Sequence, residues 1–199
     1  YLEIAEIHRR VIERQGKALL FTNVKNSDFP VVTNLFGTAK RIELAFAKRP
    51  EKFVTRAVEM AETLLPPTFG KLWGFRDIGR SAMKMGTRTV RNAPVLERKQ
   101  PSDDLEAIAF LQLWHEDGGY FNTLGLVYTE GRATGKHNLE IYRMQRYDKS
   151  TTGMHWQIGK GGGFHYFEAE ERNESLPVTV FMGGPPALML APGARCRSS

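Results

Sequence analysis

Apolar residues return at helical spacing as soon as the chain begins. Ile4, Ile7, Val11 and Ile12 alternate with charged positions, and Gly16 follows where a helix end is expected, which predicts a first amphipathic helix. Two continuous apolar runs come next, Ala18 to Phe21 and Pro30 to Phe36, divided by the turn-rich Lys25-Asn26-Ser27-Asp28. Such runs predict strands of a sheet covered on both faces. Helical periodicity resumes from about Thr38 to Lys48. It resumes again from Pro50, a favoured first-turn residue, through Phe53, Ala57, Met60 and Leu64 to Pro66-Pro67, and a third helix is expected over Phe69–Met83.

After Pro101 the pattern changes. Phe121–Thr129, Asn138–Tyr147 and Met154–Ile158 are β-rich, and the polar stretches Gly131–Gly135 and Asp148–Gly153 between them read as hairpin turns. A helix over Gly162–Arg172, a strand at Val178–Phe181 and a helix start at Pro185–Ala191 follow. The order predicts an α+β chain: an N-terminal α/β domain over 1–100, then a β-rich domain from 101. No internal repeat or low-complexity tract is present.

Composition adds boundaries. At 199 residues, 41% hydrophobic and 25% charged, the chain resembles soluble globular proteins, and no apolar run approaches the roughly 20 residues that span a bilayer. The single cysteine, Cys196, excludes an intrachain disulfide, and the expected location is cytoplasmic. Tyr1 opens directly into the helical pattern with no secretory leader, so the natural start is expected upstream. The net charge of +6 is local: Lys71, Arg76, Arg80, Lys84, Arg88, Arg91, Arg98 and Lys99 face only Asp77 and Glu97 between Pro66 and Gln100. Arg76, Arg80 and Lys84 share one helical face, which reads as a solvated face or a contact for an acidic partner; no nucleic-acid motif accompanies it, and no specific nucleic acid is expected.

Self-sufficient catalytic signatures are missing. There is no G-x-S-x-G, no H-E-x-x-H and no cysteine pair, and His8, His115, His137, His155 and His165 include no i, i+4 pair. His8 falls on the apolar side of the first helix and reads as a packed histidine. The run Gly159-Lys160-Gly161-Gly162-Gly163 either cradles phosphate at a helix start or is a plain strand-to-helix turn. A constellation says more. Asn138-Leu139-Glu140-Ile141-Tyr142-Arg143 precedes Met154-His155-Trp156-Gln157 and then the lysine–glycine run. A strand would put Ile141 and Arg143 on one face, one to line an apolar ring and the other to pair with its anionic groups. Tyr142 and Trp156 add flat surfaces for a conjugated ligand, although an ordinary hairpin with aromatic cross-strand pairs has the same pattern.

Four segments in order, Gly16–Phe21, Pro30–Gly37, Asn138–Gln145 and Gly153–Gln157, resemble the UbiD family of prenylated-FMN-dependent decarboxylases, the 3-octaprenyl-4-hydroxybenzoate carboxy-lyase type, over about Ile4 to Ala191. The resemblance implies an N-terminal α/β domain, the first part of a split β-barrel flavin-binding domain over 101–191, and a tail at 192–199 outside the family pattern. It implies non-oxidative decarboxylation of an aromatic or α,β-unsaturated acid, as in ubiquinone biosynthesis. The cofactors implied are prenylated FMN and Mn2+, often with K+, and the implied partners are a flavin prenyltransferase as cofactor supplier and further copies of the full-length protein.

Carried over by position, Asn138 resembles the metal-ligating asparagine. Ile141, Tyr142 and Arg143 resemble the flavin-contacting stretch, with Arg143 as the arginine that pairs with a catalytic glutamate and holds the substrate carboxylate. His155, Trp156 and Gln157, then Lys160 and Gly161, resemble further cofactor contacts, and Thr123 occupies a position near the isoalloxazine. Two departures accompany the match. Gly159 stands where the family commonly has a histidine near the metal, and Pro192–Ser199 replaces the approach to a metal-binding glutamate and the catalytic acid. A truncated or frameshifted product, incomplete for turnover, is the expectation; the alternative is a flavin-binding or interaction module.

Overall fold

The computed structural model describes residues 2–25, 27–46, 50–63, 73–83, 90–97, 99, 104–157, 159–190 and 192. The tail from 193, with Cys196, lies outside them, as do Lys71, Lys84, Arg88 and Arg98 of the basic stretch. The chain divides into two compact units, one of Tyr1–Thr38 with Ser102–Ser199 and one of Ala39–Pro101.

In the first unit, helix α1 (Glu3–Glu13) carries the expected stripe, but none of its residues is fully buried, and Ile7 and Ile12 are exposed. Its end differs by one residue from the sequence reading. Gln15 adopts the left-handed conformation (φ 49°), its N–H donates to the Ile12 carbonyl at 2.8 Å, and Gly16 N–H donates to the Val11 carbonyl at 2.8 Å. This is a Schellman end, and glycine is needed at its second position because a Cβ there would lie 2.8 Å from Val11 Cγ1.

Strands β1 (Leu19–Phe21) and β2 (Val31–Thr33) pair antiparallel, with Leu20 opposite Val32. The expectation of a sheet covered on both faces is corrected here. Val31 is buried, whereas the cross-strand partners Leu20 and Val32 are 61% and 51% exposed. An unbroken apolar run cannot reveal how many faces are covered; the number of layers decides that. Asn34, at φ 56°, ties this ribbon to α1 by donating to the carbonyls of Gly16 and Lys17 at 3.0 and 3.1 Å.

The rest of the described residues of this unit form antiparallel sheet, a short 3-10 turn at Leu105–Ala107 and two α-helices. Strands β3 (Tyr120–Asn122), β4 (Leu126–Glu130), β5 (His137–Ile141), β6 (Met144–Arg146), β7 (Thr152–Met154) and β8 (Val178–Phe181) form two sheets, ordered β3-β6-β7 and β5-β4-β8. Both expected hairpins are present, β4–β5 across Gly131–Lys136 and β6–β7 across Tyr147–Thr151. Helix α5 (Gly161–Glu171) packs on β4 and β5, and a short α6 (Pro186–Leu190) follows β8. The core lies where α5 meets the sheet: Leu126, Val127 and Thr129 are fully enclosed, and the Thr129 hydroxyl lies 3.0 Å from Nδ1 of the buried His165.

The second unit contains α2 (Ala39–Ala45), α3 (Pro50–Thr63) and α4 (Arg76–Met83). Arg56 of α3 reaches α4, pairing with Asp77 at 2.9 Å and donating to the Gly74 carbonyl at 2.8 Å. The expected third helix is realised in its second half, since Phe69–Leu72 fall outside the described residues.

Candidate functional site

The two larger sheets are connected by one bent ribbon. Asn122 pairs with Met144 on one side of the bend and Leu126 with Ile141 on the other, so Thr123–Gly125 stands opposite Tyr142–Arg143. Three residues face two, and the extra residue turns the ribbon from one sheet into the next, as a bulge does. The sequence motif Asn138–Arg143 therefore ends in a corner rather than in a straight strand.

Asn138 and Glu140 share one face of β5 by alternation, and Tyr142 completes a cluster with them against the start of α5. The Tyr142 hydroxyl donates to Glu140 Oε2 at 2.7 Å and accepts the Gly162 N–H at 3.0 Å. Burial pushes the Tyr142 phenol up to about 12, and the Glu140 hydrogen bond adds to that shift. Tyr142 thus remains a protonated donor at neutral pH.

The indole of Trp156 meets the Tyr142 ring edge-on, with centroids 5.0 Å apart, and stacks on Tyr166 at 5.8 Å. The Lys160 ammonium lies 5.2 Å from the Tyr142 centroid. The glycine run allows this packing. A Cβ on Gly162 would lie 2.7 Å from Trp156 Cζ3 and 2.8 Å from the Tyr142 oxygen, and one on Gly161 would collide with the Asn138 amide. Gly159 precedes the helix at φ 81°, and Lys160 caps it without a side-chain hydrogen bond; of the first-turn N–H groups, that of Gly162 is taken by the Tyr142 hydroxyl.

Arg143 has different company. Its Nη2 donates to Asp117 Oδ1 at 2.8 Å, and its guanidinium stands 3.7 Å from the centroid of Phe121 on β3. Asp117 Oδ2 accepts the N–H groups of Leu113 and Trp114, each at 3.2 Å. Burial alone would raise the Asp117 carboxyl, but the Arg143 hydrogen bond and these backbone donors outweigh it and hold the acid below its usual range.

Of the residues singled out in the sequence, Asn138, Tyr142, Trp156, Lys160 and Gly161 gather around the start of α5. Ile141 is half-buried opposite Leu126, and His155 and Gln157 are exposed, with the His155 N–H donating to the Arg143 carbonyl at 3.2 Å. Thr123 lies in the corner. The sequence reading missed Glu140, Asp117, Phe121 and Tyr166 as members of this region. Strand alternation from Asn138 would have found Glu140; nothing in the local pattern points from Arg143 to Asp117, which is 26 positions away.

Thr123 Oγ1 and Asn138 Nδ2 are buried without a hydrogen-bond partner. Such orphaned atoms fit a polar ligand along the corner, and the aromatic surfaces fit a conjugated one. A cation fits less completely: among the described residues no three His, Cys, Asp or Glu side chains come together, and Asn138 supplies a single amide oxygen. A groove of about 470 Å³ lies beside Trp156 and Tyr166, bounded by Glu170, Asn173, Leu176 and Val178.

The fold is shared with a UbiD-class enzyme and with a vanillic acid decarboxylase. A UbiD-class enzyme, HmfF from Pelotomaculum thermopropionicum in an evolved dimeric form in complex with prFMN, superposes with a TM-score of 0.75 at 23% identity, covering 98% of this chain and 41% of that one. Vanillic acid decarboxylase from Sedimentibacter hydroxybenzoicus, in its closed form, gives 0.73 at 20% identity over 96% of this chain and 39% of that one. The 3-octaprenyl-4-hydroxybenzoate carboxy-lyase N-terminal domain matches residues 1–61 and the Rift-related domain of the same enzyme type matches 88–197, so the chain belongs to the UbiD family.

Relatives are closer in sequence than those structures. An uncharacterized protein of Chlamydia caviae is 48% identical over 96% of this chain and 32% of its own length. A Chlamydia pneumoniae protein named as a subunit of 4-hydroxybenzoate decarboxylase is 44% identical over the same shares of the two chains. The chain thus spans about a third of the length of these curated relatives. No helix among the described residues is long and apolar enough to cross a membrane.

Proposed function

We propose that this chain carries the flavin-contacting part of a carboxy-lyase that removes CO2 from an aromatic or α,β-unsaturated acid. The observation that carries the reading is the Tyr142 cluster: strand, glycine-rich helix start and indole are locked together beside two orphaned polar atoms. Prenylated FMN, when bound, would supply the electron sink for loss of CO2. The protein's own work is placement. Thr123 Oγ1 and Asn138 Nδ2, both buried, would find partners in polar groups of the cofactor, with the Asn138 amide oxygen left for a cation; first-turn N–H groups of α5 other than that of Gly162 would meet phosphate, and Trp156 would present an aromatic surface. Arg143, partly exposed and always charged, would take the substrate carboxylate through its remaining N–H donors.

The finer assignments belong to the same proposal: Mn2+ on Asn138 with K+ nearby, cofactor supply by a flavin prenyltransferase, a cytoplasmic setting, a role in ubiquinone synthesis, and self-association of the full-length protein. The His155–Gln157 segment and Lys160 would bind through backbone and ammonium groups at the rim.

The test is reconstitution. Purified chain is incubated with prenylated FMN, MnCl2 and KCl, desalted, and assayed for retained flavin absorbance and for CO2 released from 4-hydroxybenzoate. Retained flavin with CO2 release is the expected result for a self-sufficient enzyme. Retained flavin without CO2 selects the binding-module alternative, and loss of all flavin rejects both.

A further inference from the structure

We infer that Asp117 is the positioning residue for Arg143, fixing the guanidinium that the proposed reaction needs for the substrate carboxylate. The inference rests on the reading of Arg143 given above and adds a residue from a distant loop. Burial separates anchor from anchored group: the Asp117 side chain is 8% exposed, whereas that of Arg143 is 39% exposed. One carboxylate oxygen takes Arg143 Nη2 at 2.8 Å; the other is fixed by the amides of Leu113 and Trp114 at 3.2 Å each. The anchor is therefore rigid and the anchored group is open to solvent. Phe121 limits the guanidinium from a second direction, its ring centroid 3.7 Å from the Arg143 carbon.

Arginine has five N–H donors, and this bond to Asp117 uses one of them. A flexible arginine would lose several rotamers on binding a carboxylate; one already held by Asp117 and Phe121 loses fewer, which favours binding by preorganisation.

The test uses the full chain. Asp117→Asn keeps an oxygen for the Leu113 and Trp114 amides and removes the charge. Modification of Arg143 by phenylglyoxal, followed site by site by mass spectrometry, should be at least about threefold faster in D117N that is still folded at the assay temperature, because a charge-assisted bond has been lost. In chain loaded with FMN, benzoate affinity should fall about tenfold in D117N, and D117N should have no further effect in an Arg143→Ala background.

An Arg143 modification rate equal to wild type in folded D117N overturns the inference, as does unchanged benzoate affinity in D117N when R143A abolishes it. If D117N does not fold, Phe121→Leu decides: protection of Arg143 within about twofold of wild type supports Asp117 as the holder, and lost protection assigns that role to the ring instead. Failure of the wild-type chain to bind FMN rejects the flavin reading, while the phenylglyoxal comparison still decides the role of Asp117.

Discussion

The Tyr142 oxygen accepts the amide hydrogen of Gly162 at 3.0 Å, which joins the corner that follows β5 to the first turn of α5 twenty positions later in the chain. The same hydroxyl gives its proton to Glu140 at 2.7 Å, so one buried atom satisfies a helix N–H and a carboxylate together. Replacing Tyr142 with Phe keeps the ring against Trp156, leaves the buried Gly162 N–H without its acceptor and removes one donor from Glu140. A buried unsatisfied group costs about 1–3 kcal/mol, so Y142F should lose about 2 kcal/mol or more in urea denaturation. A midpoint equal to wild type would show that water replaces the hydroxyl without loss.

Gly162 and Gly79 make opposing predictions from the same substitution. A Cβ at Gly162 would press on Trp156 and Tyr142 at 2.7 and 2.8 Å, both in rigid rings, whereas one at Gly79 in α4 meets nothing within 4 Å. Gly162→Ala should destabilise by about 1–3 kcal/mol through overpacking and shift the tryptophan fluorescence. Gly79→Ala should stabilise its helix by up to about 1 kcal/mol through lower backbone entropy in the unfolded chain. Calorimetry of the two variants checks both signs; equal effects would refute the packing argument.

Thr129 and His165 form the other polar link between the sheet and α5. Both are buried, with the hydroxyl 3.0 Å from Nδ1. Thr129→Val preserves the shape and removes the hydrogen bond, which leaves a buried ring nitrogen without a partner. The expected cost is about 1–3 kcal/mol, while Thr129→Ser, which keeps the hydroxyl and loses a methyl, should cost about 1 kcal/mol. If the two variants unfold at the same denaturant concentration, the hydroxyl contributes nothing.

The residues most legible in the sequence are those whose signal is local. The period of Ile4, Ile7 and Val11 identified α1, and the polar segments at 131–135 and 148–153 identified both hairpins, because turn chemistry and helix period are written within a few residues. The corner at Thr123–Gly125 was not legible: Phe121–Thr129 reads as one strand, and only the pairing with Tyr142–Arg143 reveals the extra residue. The exposure of Leu20 and Val32 was hidden for a similar reason, since layer number is a tertiary property. In the site, the quoted motifs led to Asn138, Tyr142 and Trp156. The Asp117–Arg143 pair depends on loop geometry across 26 positions and has no local signature.

The β6–β7 hairpin should carry its own acid sensitivity. Asp148 accepts the Thr151 hydroxyl at 2.5 Å and the amides of Ser150 and Thr151 at 2.8 Å each. These donors, the hydroxyl first, lower its carboxyl from 3.8 to about 2. A carboxylate with a depressed folded-state pKa contributes stability that is complete above its unfolded value and is lost as pH falls through the folded one. The turn should therefore stay intact down to about pH 4 and loosen as pH falls toward about 2. Amide exchange at Ser150 and Thr151 reads the hairpin locally, apart from other acids such as Glu6 on α1, which is also lowered to about 2 by Arg9 and Arg10. In Asp148→Asn, exchange at these amides should be faster at neutral pH, and opening of the turn should lose its dependence on pH over this window. The same pH-dependent opening in the variant would place the titrating group elsewhere and remove Asp148 as the cause.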